Sequence, residues 1–181
     1  MRQIYICIDL KSFFASVECV ERGLDPMTAK LVVADPTRTA KTICLAVSPA
    51  LRALGVRNRC RVFEIPPRLE YIMAQPRMAL YIQYSARIYS IYLRYFSPDD
   101  IHVYSIDEVF IDVSRYLAVQ RKTPRELVKM LLRDIKAETG LVATCGIGSN
   151  LYLAKIALDI ISKHAPDFIG ELDETSYREK L

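Results

Sequence analysis

Several features that define whole classes of protein are missing from this sequence. Its five cysteines, at 7, 19, 44, 60 and 145, form no CxxC pair, and its two histidines, His102 and His164, lie far apart. An odd number of thiols without paired spacing argues against a disulfide framework and fits reduced cysteines in a cytoplasmic protein, while so few histidines argue against a structural zinc site. Apolar runs are short: none exceeds five residues, the length of the run from Ile4 to Ile8. That is too little for a membrane span or for the hydrophobic stretch of a secretory leader. There is no internal repeat and no low-complexity tract. Neither the GxxxxGK[ST] of a P-loop nor the GxGxxG of a dinucleotide fold occurs.

What is present is a chain of 181 residues, 51% apolar and 25% charged, suited to one compact domain or to a large domain with a small lobe. A chain of this size buries roughly 70% of its unfolded surface, so its core needs no covalent or metal staple. The net charge of +4 is mild, but its distribution is uneven. Between Pro36 and Pro98 ten Arg or Lys stand against two Glu, a balance of +8, whereas Asp167 to Leu181 holds five acids and two bases, a balance of −3. The central bias has two readings, an electrostatic footprint for an anionic partner or a well-solvated surface.

Strand and helix patterns mix without strict βαβ alternation, which predicts an α+β domain. Residues 3–9 (QIYICID) read as a strand, and residues 13–22 as a helix capped by Ser12 and stopped at Gly23. Residues 31–34 and 42–47 read as strands, and Pro49 opens a short helix that Gly55 ends. Residues 56–77 read as basic and irregular, with Pro66, Pro67 and Pro76 as breakers. Further on, 83–96 is a helix, 101–113 a pair of strands meeting at Asp107 and Glu108, 123–139 an amphipathic helix, 142–147 a strand and 151–163 a helix. The last fifteen residues read as an acidic connection.

Chemistry concentrates where acids end apolar strands. Asp9 closes IYICID, and Asp107 with Glu108 sits between IHVYSI and VFIDV. Burying a carboxylate unpaired costs several kcal/mol, on the order of the penalties for ionised groups, so something cationic must answer these three. Magnesium suits them, being a hard ion that takes a few carboxylates with phosphate oxygens and water; the other reading is that Asp9 and Glu108 cap or pair with nearby bases. Gly146-Ile147-Gly148-Ser149-Asn150, with Lys155 one turn later, is either a phosphate seat at a helix start or a plain glycine turn.

Residues 9–18 (DLKSFFASVE), 104–112 (YSIDEVFID) and 146–150 (GIGSN) with 153–157 (LAKIA) resemble, in that order, the three catalytic-core motifs of the Y-family translesion DNA polymerases. Within that family they are most similar to the UmuC and ImpB/MucB/SamB branch. The resemblance covers essentially the whole chain. It implies a polymerase palm, with a mixed, largely antiparallel sheet covered by helices, plus a small basic fingers lobe. On this basis residues 1–30 and 78–166 are palm, 31–77 fingers, and 167–181 a connection toward a thumb that, like the little-finger domain after it, is missing here.

The implied activity is template-directed DNA synthesis for lesion bypass in DNA repair and the SOS response, by nucleotidyl transfer from a dNTP to a primer 3′-hydroxyl. Asp9 and Asp107 match the aspartates that hold two Mg²⁺ ions, with Mn²⁺ able to substitute. Glu108 matches the carboxylate on the ion near the primer, and Leu10 a position that ligates through its backbone carbonyl. Phe13 and Phe14 match a backbone phosphate cradle, and Phe14 also the steric gate that excludes a 2′-hydroxyl; its alternative is a helix-face core residue. Arg52 and Lys155 match contacts to the triphosphate. Where many relatives carry a tyrosine three residues before that arginine, this chain has Pro49, which removes a phosphate-binding hydroxyl.

Leu45-Ala46-Val47-Ser48-Pro49 would cover the templating base with small side chains, and size and charge suggest that Arg57, Arg59 and Arg61 reach template phosphates. Implied partners are primer-template DNA and dNTP, with a sliding clamp or accessory SOS proteins met through regions outside this chain, and no membrane. The chain alone is expected to fold but to polymerise weakly. Two other classes stay open: another two-metal nucleotidyl cyclase or transferase, whose GGDEF-type hairpin is absent, and a non-catalytic DNA-binding or partner-docking fragment.

Overall fold

A computed structural model describes residues 3–180. In chain order the strands are β1 (Tyr5–Leu10), β2 (Leu31–Val33), β3 (Ala46–Val47), β4 (Ile72–Ala74), β5 (Ile101–Val103), β6 (Glu108–Asp112), β7 (Ala143–Gly148) and β8 (Ile169–Leu172). The helices are α1 (Phe13–Glu21), α2 (Pro49–Ala53), α3 (Met78–Tyr92), α4 (Ser114–Gln120), α5 (Pro124–Thr139), α6 (Leu151–Ile156) and α7 (Glu174–Lys180). The chain divides into two compact units. The larger takes residues 3–10, 85–138 and 143–180, the smaller Lys11–Tyr84 and Thr139–Val142.

The larger unit is built on a five-stranded sheet in the order β5-β6-β1-β7-β8. All neighbours are antiparallel except β7 and β8. The central strand is β1, and its Ile6, Cys7 and Ile8 are buried on both faces, as a near-continuous apolar run requires. Helix α5 buries the stripe Leu127, Leu131 and Ile135, spaced one turn apart. On one face of the sheet Cys7 and Phe110 pack with Ala154 of α6 and Leu158 of the π-helical stretch Ala157–Ser162 that follows it.

That helix lies unusually close to the strands. A Cβ added to Gly146 would meet the Ala154 carbonyl oxygen at 2.0 Å and the Leu158 nitrogen at 2.3 Å, and one on Gly148 would meet the Ala154 nitrogen at 2.2 Å. The Gly146–Asn150 segment is therefore a packing device. Its glycines admit the helix, and the Asn150 side chain caps it by accepting the Leu153 N–H at 2.8 Å.

The smaller unit carries a three-stranded sheet in the order β3-β2-β4, with β2 antiparallel to β3 and parallel to β4. Val32, Val47, Leu51, Val56 and Ile65 share its core with Cys44 and Cys60. All five cysteines of the chain are buried and free. Burial pushes the Cys19 thiol up to about 11 and, with Cys60 beside it, the Cys44 thiol up to about 12.

Four elements escape the sequence reading: β4, α4, β8 and α7. Strand β4 lies in the stretch read as irregular, and β8 in the acidic tail. Each is short, and each gains its pairing from a strand distant in sequence, β2 or β7. The strand read over residues 42–47 shrinks to Ala46–Val47. Its first half pairs with residues 60–62 instead, through Cys44 N–H to Cys60 O at 2.8 Å and Val62 N–H to Thr42 O at 3.0 Å.

Gly146→Ala should cost about 3 kcal/mol, because the clash is with backbone that cannot rotate away. The melting temperature should fall by about 6 to 12 °C for a chain of this size. Gly23→Ala, at φ +68° but facing open space, should cost only about 1 kcal/mol, the price of a left-handed alanine. Equal losses in calorimetry would show that the helix does not rest on Gly146.

Candidate active site

The register of β1 against β6 sets Asp9 opposite Glu108. One residue on, the Leu10 N–H donates to the Asp107 carbonyl at 3.0 Å. The turn leading into β6 is tightly pinned. Tyr104 and Ser105 N–H groups both donate to the Glu108 carbonyl at 3.0 Å, the Ser85 hydroxyl donates to the Ile106 carbonyl at 2.6 Å, and the Ser105 hydroxyl donates to Asp107 Oδ1 at 2.7 Å. Two strand ends thus bring the three predicted carboxylates together, all half-buried.

Their crowding has an electrostatic signature. The Asp9 carboxyl is pushed up from an ordinary 3.8 to about 7, first by burial and then by the charges of Asp107 and Glu108. The cation that answers them within the chain is Lys155 of α6, whose Nζ stands 2.7 Å from Glu108 Oε1 and 3.3 Å from Asp159. Burial pulls the Lys155 ammonium down, but the Glu108 carboxylate outweighs it and holds the group above the usual lysine range. The Cys7 thiol donates to the same Glu108 oxygen at 3.3 Å.

Among the described residues no three His, Cys, Asp or Glu side chains converge closely enough to hold a metal ion as they stand. The reason is visible in the contacts, since Glu108 turns to Lys155 and Asp107 to Ser105. The donor set nevertheless fits a hard divalent cation. It is all oxygen, and the one lysine leaves Asp9 short of positive charge.

The remaining predicted residues belong to the smaller unit. Phe13 is buried at 3% exposure, whereas Phe14 is half-buried and stacks on Tyr81 with ring centroids 4.4 Å apart and planes at 15°. Ser12 does not cap α1 with its side chain. It sits in the left-handed region at φ 48°, and its buried hydroxyl has no hydrogen-bond partner. Arg52 is exposed in the last turn of α2, and Pro49 opens that helix. Arg57, Arg59 and Arg61 are exposed, with Arg61 donating to the Lys41 carbonyl at 3.1 Å. The expectation of small side chains open to a template is corrected: Ala46 and Val47 are core residues, while the larger Ile43 and Leu45 are exposed at 51% and 44%.

Sequence reasoning missed the buried carboxylate of Glu18. It accepts from Arg77 at 2.7 and 3.0 Å, from the Tyr81 hydroxyl at 2.8 Å and from Arg22. Burial alone would raise this carboxyl, and the bonds from Arg77, Arg22 and Tyr81 hold it below the usual range instead. The available signal was an acid in mid-helix between Val17 and Cys19, both fully buried.

Solved chains that match this architecture include a Y-family DNA polymerase chimera, with TM-score 0.79 and 26% identity over 97% of this chain and 50% of that one. An insertion ternary complex of Dbh DNA polymerase matches with TM-score 0.79 and 27% identity over 97% of this chain and 50% of that one. The crystal structure of DinB from Sulfolobus solfataricus matches with TM-score 0.78, 26% identity and the same coverage. The α+β fold is therefore that of the catalytic domain of this polymerase class. The model of the impB/mucB/samB family matches residues 8–159, and the chain belongs to that family. Among curated relatives, DNA polymerase IV 2 of Bacillus subtilis (strain 168) is 32% identical over 99% of this chain and 43% of its own length. The DNA repair protein homolog YozK of the same strain is 38% identical over 59% of this chain and 93% of its own. This chain spans about half the length of the solved chains and about two fifths of DNA polymerase IV 2.

With divalent ions chelated, the raised Asp9 carboxyl makes folding pH-dependent. Between its ordinary 3.8 and about 7 the folded state holds a proton that the unfolded chain has released, so stability is lost as pH rises through that window. Asp9→Asn removes this loss. In denaturant titrations the variant should gain about 1 to 2 kcal/mol on wild type between pH 5 and pH 8, allowing for solvent screening. A constant difference between the two proteins would show that Asp9 is not crowded.

Proposed function

We propose that this chain is the catalytic part of a DNA-directed DNA polymerase for lesion bypass, transferring nucleotides from dNTP to a primer 3′-hydroxyl. The observation that carries the reading is the set of three mutually repelling carboxylates on adjacent strand ends, with Asp9 left at a pKa near 7. Asp9, Asp107, Glu108 and the Leu10 carbonyl would hold two Mg²⁺ ions, or Mn²⁺ in their place. Such a pair, when bound, lowers the pKa of the 3′-hydroxyl and stabilises charge on the triphosphate and the leaving pyrophosphate.

The chain's own groups do the rest. Asp9 gives up its proton as its repulsion is relieved. Lys155 exchanges its hold on Glu108 for a phosphate oxygen of the nucleotide, so one side chain neutralises the site in turn with and without substrate. Arg52 adds a second cation, and the backbone amides of Phe13 and Phe14 donate to phosphate. Pro49 offers no hydroxyl, which leaves more of the triphosphate grip to Arg52 and Lys155. Phe14 lies under the sugar and excludes a 2′-hydroxyl by size. Arg57, Arg59 and Arg61 meet template phosphates and add a salt-dependent share of DNA affinity.

This reading places the protein in the cytoplasm, and among the described residues no helix is long and apolar enough to cross a membrane. A sliding clamp or accessory SOS proteins would be met through regions outside this chain. A second reading is a non-catalytic DNA-binding or partner-docking protein, to which the exposed Arg57, Arg59 and Arg61 of the smaller unit would be suited.

Primer extension with the chain in molar excess over primer-template tests the proposal. Asp107→Ala should slow extension by about a thousandfold, the equivalent of several kcal/mol of lost charge stabilisation. Saturating Mn²⁺ should stabilise the wild type by about 2.7 kcal/mol at a hundredfold over the dissociation constant, and the variant much less. Extension that survives Asp107→Ala would overturn the mechanism. DNA binding without extension by the wild type would favour the second reading.

A further inference from the structure

Lys155 is held from two sides, and only one of its two partners has a part in the reaction proposed above. Its Nζ stands 2.7 Å from Glu108 Oε1 and 3.3 Å from Asp159 Oδ2. Asp159 comes four residues after the lysine, in the first turn of the π-helical stretch Ala157–Ser162, and faces the same side. Its other oxygen, Oδ1, accepts from Lys163 Nζ at 3.1 Å, four residues further on. Glu108, Lys155, Asp159 and Lys163 thus form one line of alternating charge that runs from the sheet along the helix.

The two acids hold the lysine on different terms. The Glu108 side chain is 11% exposed and comes from β6, and a divalent ion that took it would end its hold on Lys155. The Asp159 side chain is 41% exposed and belongs to the same helical run as the lysine, so its place does not depend on what Glu108 does. A lysine is a point charge on a flexible four-carbon stem, and one released by Glu108 without a second partner would spread over many rotamers. An exposed pair one helical turn apart is weak. It biases those rotamers without keeping the ammonium from a phosphate, whose charge-assisted bond is stronger. Lys163 meanwhile offsets the negative charge that Asp159 would otherwise present to an arriving anion.

We propose that Asp159 is a positioning residue for the triphosphate, a pivot that keeps Lys155 at the site when Glu108 turns to a metal ion. The proposal rests on the reading of Lys155 as a triphosphate contact.

A pivot and a bystander differ in the sign of their effect. Asp159 is a negative charge beside the ammonium that would meet phosphate, so by Coulomb repulsion alone Asp159→Asn tightens the binding of an anion. If Asp159 acts by holding Lys155, the same substitution weakens it. Equilibrium binding of dATP to the whole chain in Mn²⁺ reads the sign, with a melting temperature recorded to show that each variant is folded. Asp159→Asn should weaken dATP binding about threefold, the scale of one exposed helical ion pair. Lys155→Ala should weaken it about thirtyfold, the scale of one charge-assisted hydrogen bond. Adding Asp159→Asn to Lys155→Ala should weaken it no further, because the pivot then has nothing to hold.

Unchanged or tighter binding in Asp159→Asn, alongside the loss in Lys155→Ala, would overturn the pivot and leave the triphosphate contact standing. Equal weakening by Asp159→Asn with and without Lys155 would also overturn it, since the acid would then act by another route. Undiminished binding in Lys155→Ala removes the contact itself and the inference with it.

Discussion

Three carboxylates held at one end of a buried strand cannot all stay ionised without positive charge close by, and the larger unit is arranged around that requirement. The β1–β6 register creates the problem by setting Asp9 beside Glu108. Lys155 answers part of it, and the reach of that side chain depends on how near its helix lies to the sheet. The side-chain-free surface at Gly146 and Gly148 permits the approach, so two residues with no chemistry of their own support the one that neutralises the acids. Sequence, packing and charge form a single chain of cause here.

The smaller unit shows what a fully satisfied buried acid looks like. Glu18 is completely enclosed, yet two arginines and a tyrosine drive its carboxyl below the ordinary range. Asp9 is less buried and lies above it. The contrast separates a structural carboxylate, whose partners are built in, from one that the chain's own cations leave under-neutralised. Burial alone would have ranked the two in the opposite order of interest.

Strands and helices with a strong local period were legible: β1, α1, α5 and the acidic turn before β6 lie close to where their patterns place them. The three acids were legible for the same reason, each interrupting an apolar strand. The short strands that were not legible, β4 and β8, owe their existence to partners forty or so and twenty-odd residues earlier in the chain, and nothing in their own three and four residues encodes that. Ser12 misled because a serine before a helix has the composition of a cap, while its backbone is left-handed rather than in the extended region of a capping serine and its hydroxyl makes no capping bond. The Glu18 cluster stayed hidden because Arg77 and Tyr81 lie about sixty residues away, a juxtaposition only the fold creates.

The five free, buried cysteines give the protein a practical property as an experimental object. Thiol reagents attack thiolates that solvent can reach, and burial withholds these sulfurs from solvent while lifting Cys7, Cys19, Cys44 and Cys145 away from ionisation at neutral pH. The native chain is thus a quiet background for site-directed labelling. A single cysteine introduced at Val119, which is 82% exposed, would take up a maleimide dye or spin label while the natural thiols stayed unmodified, and loss of that selectivity would report unfolding in real time.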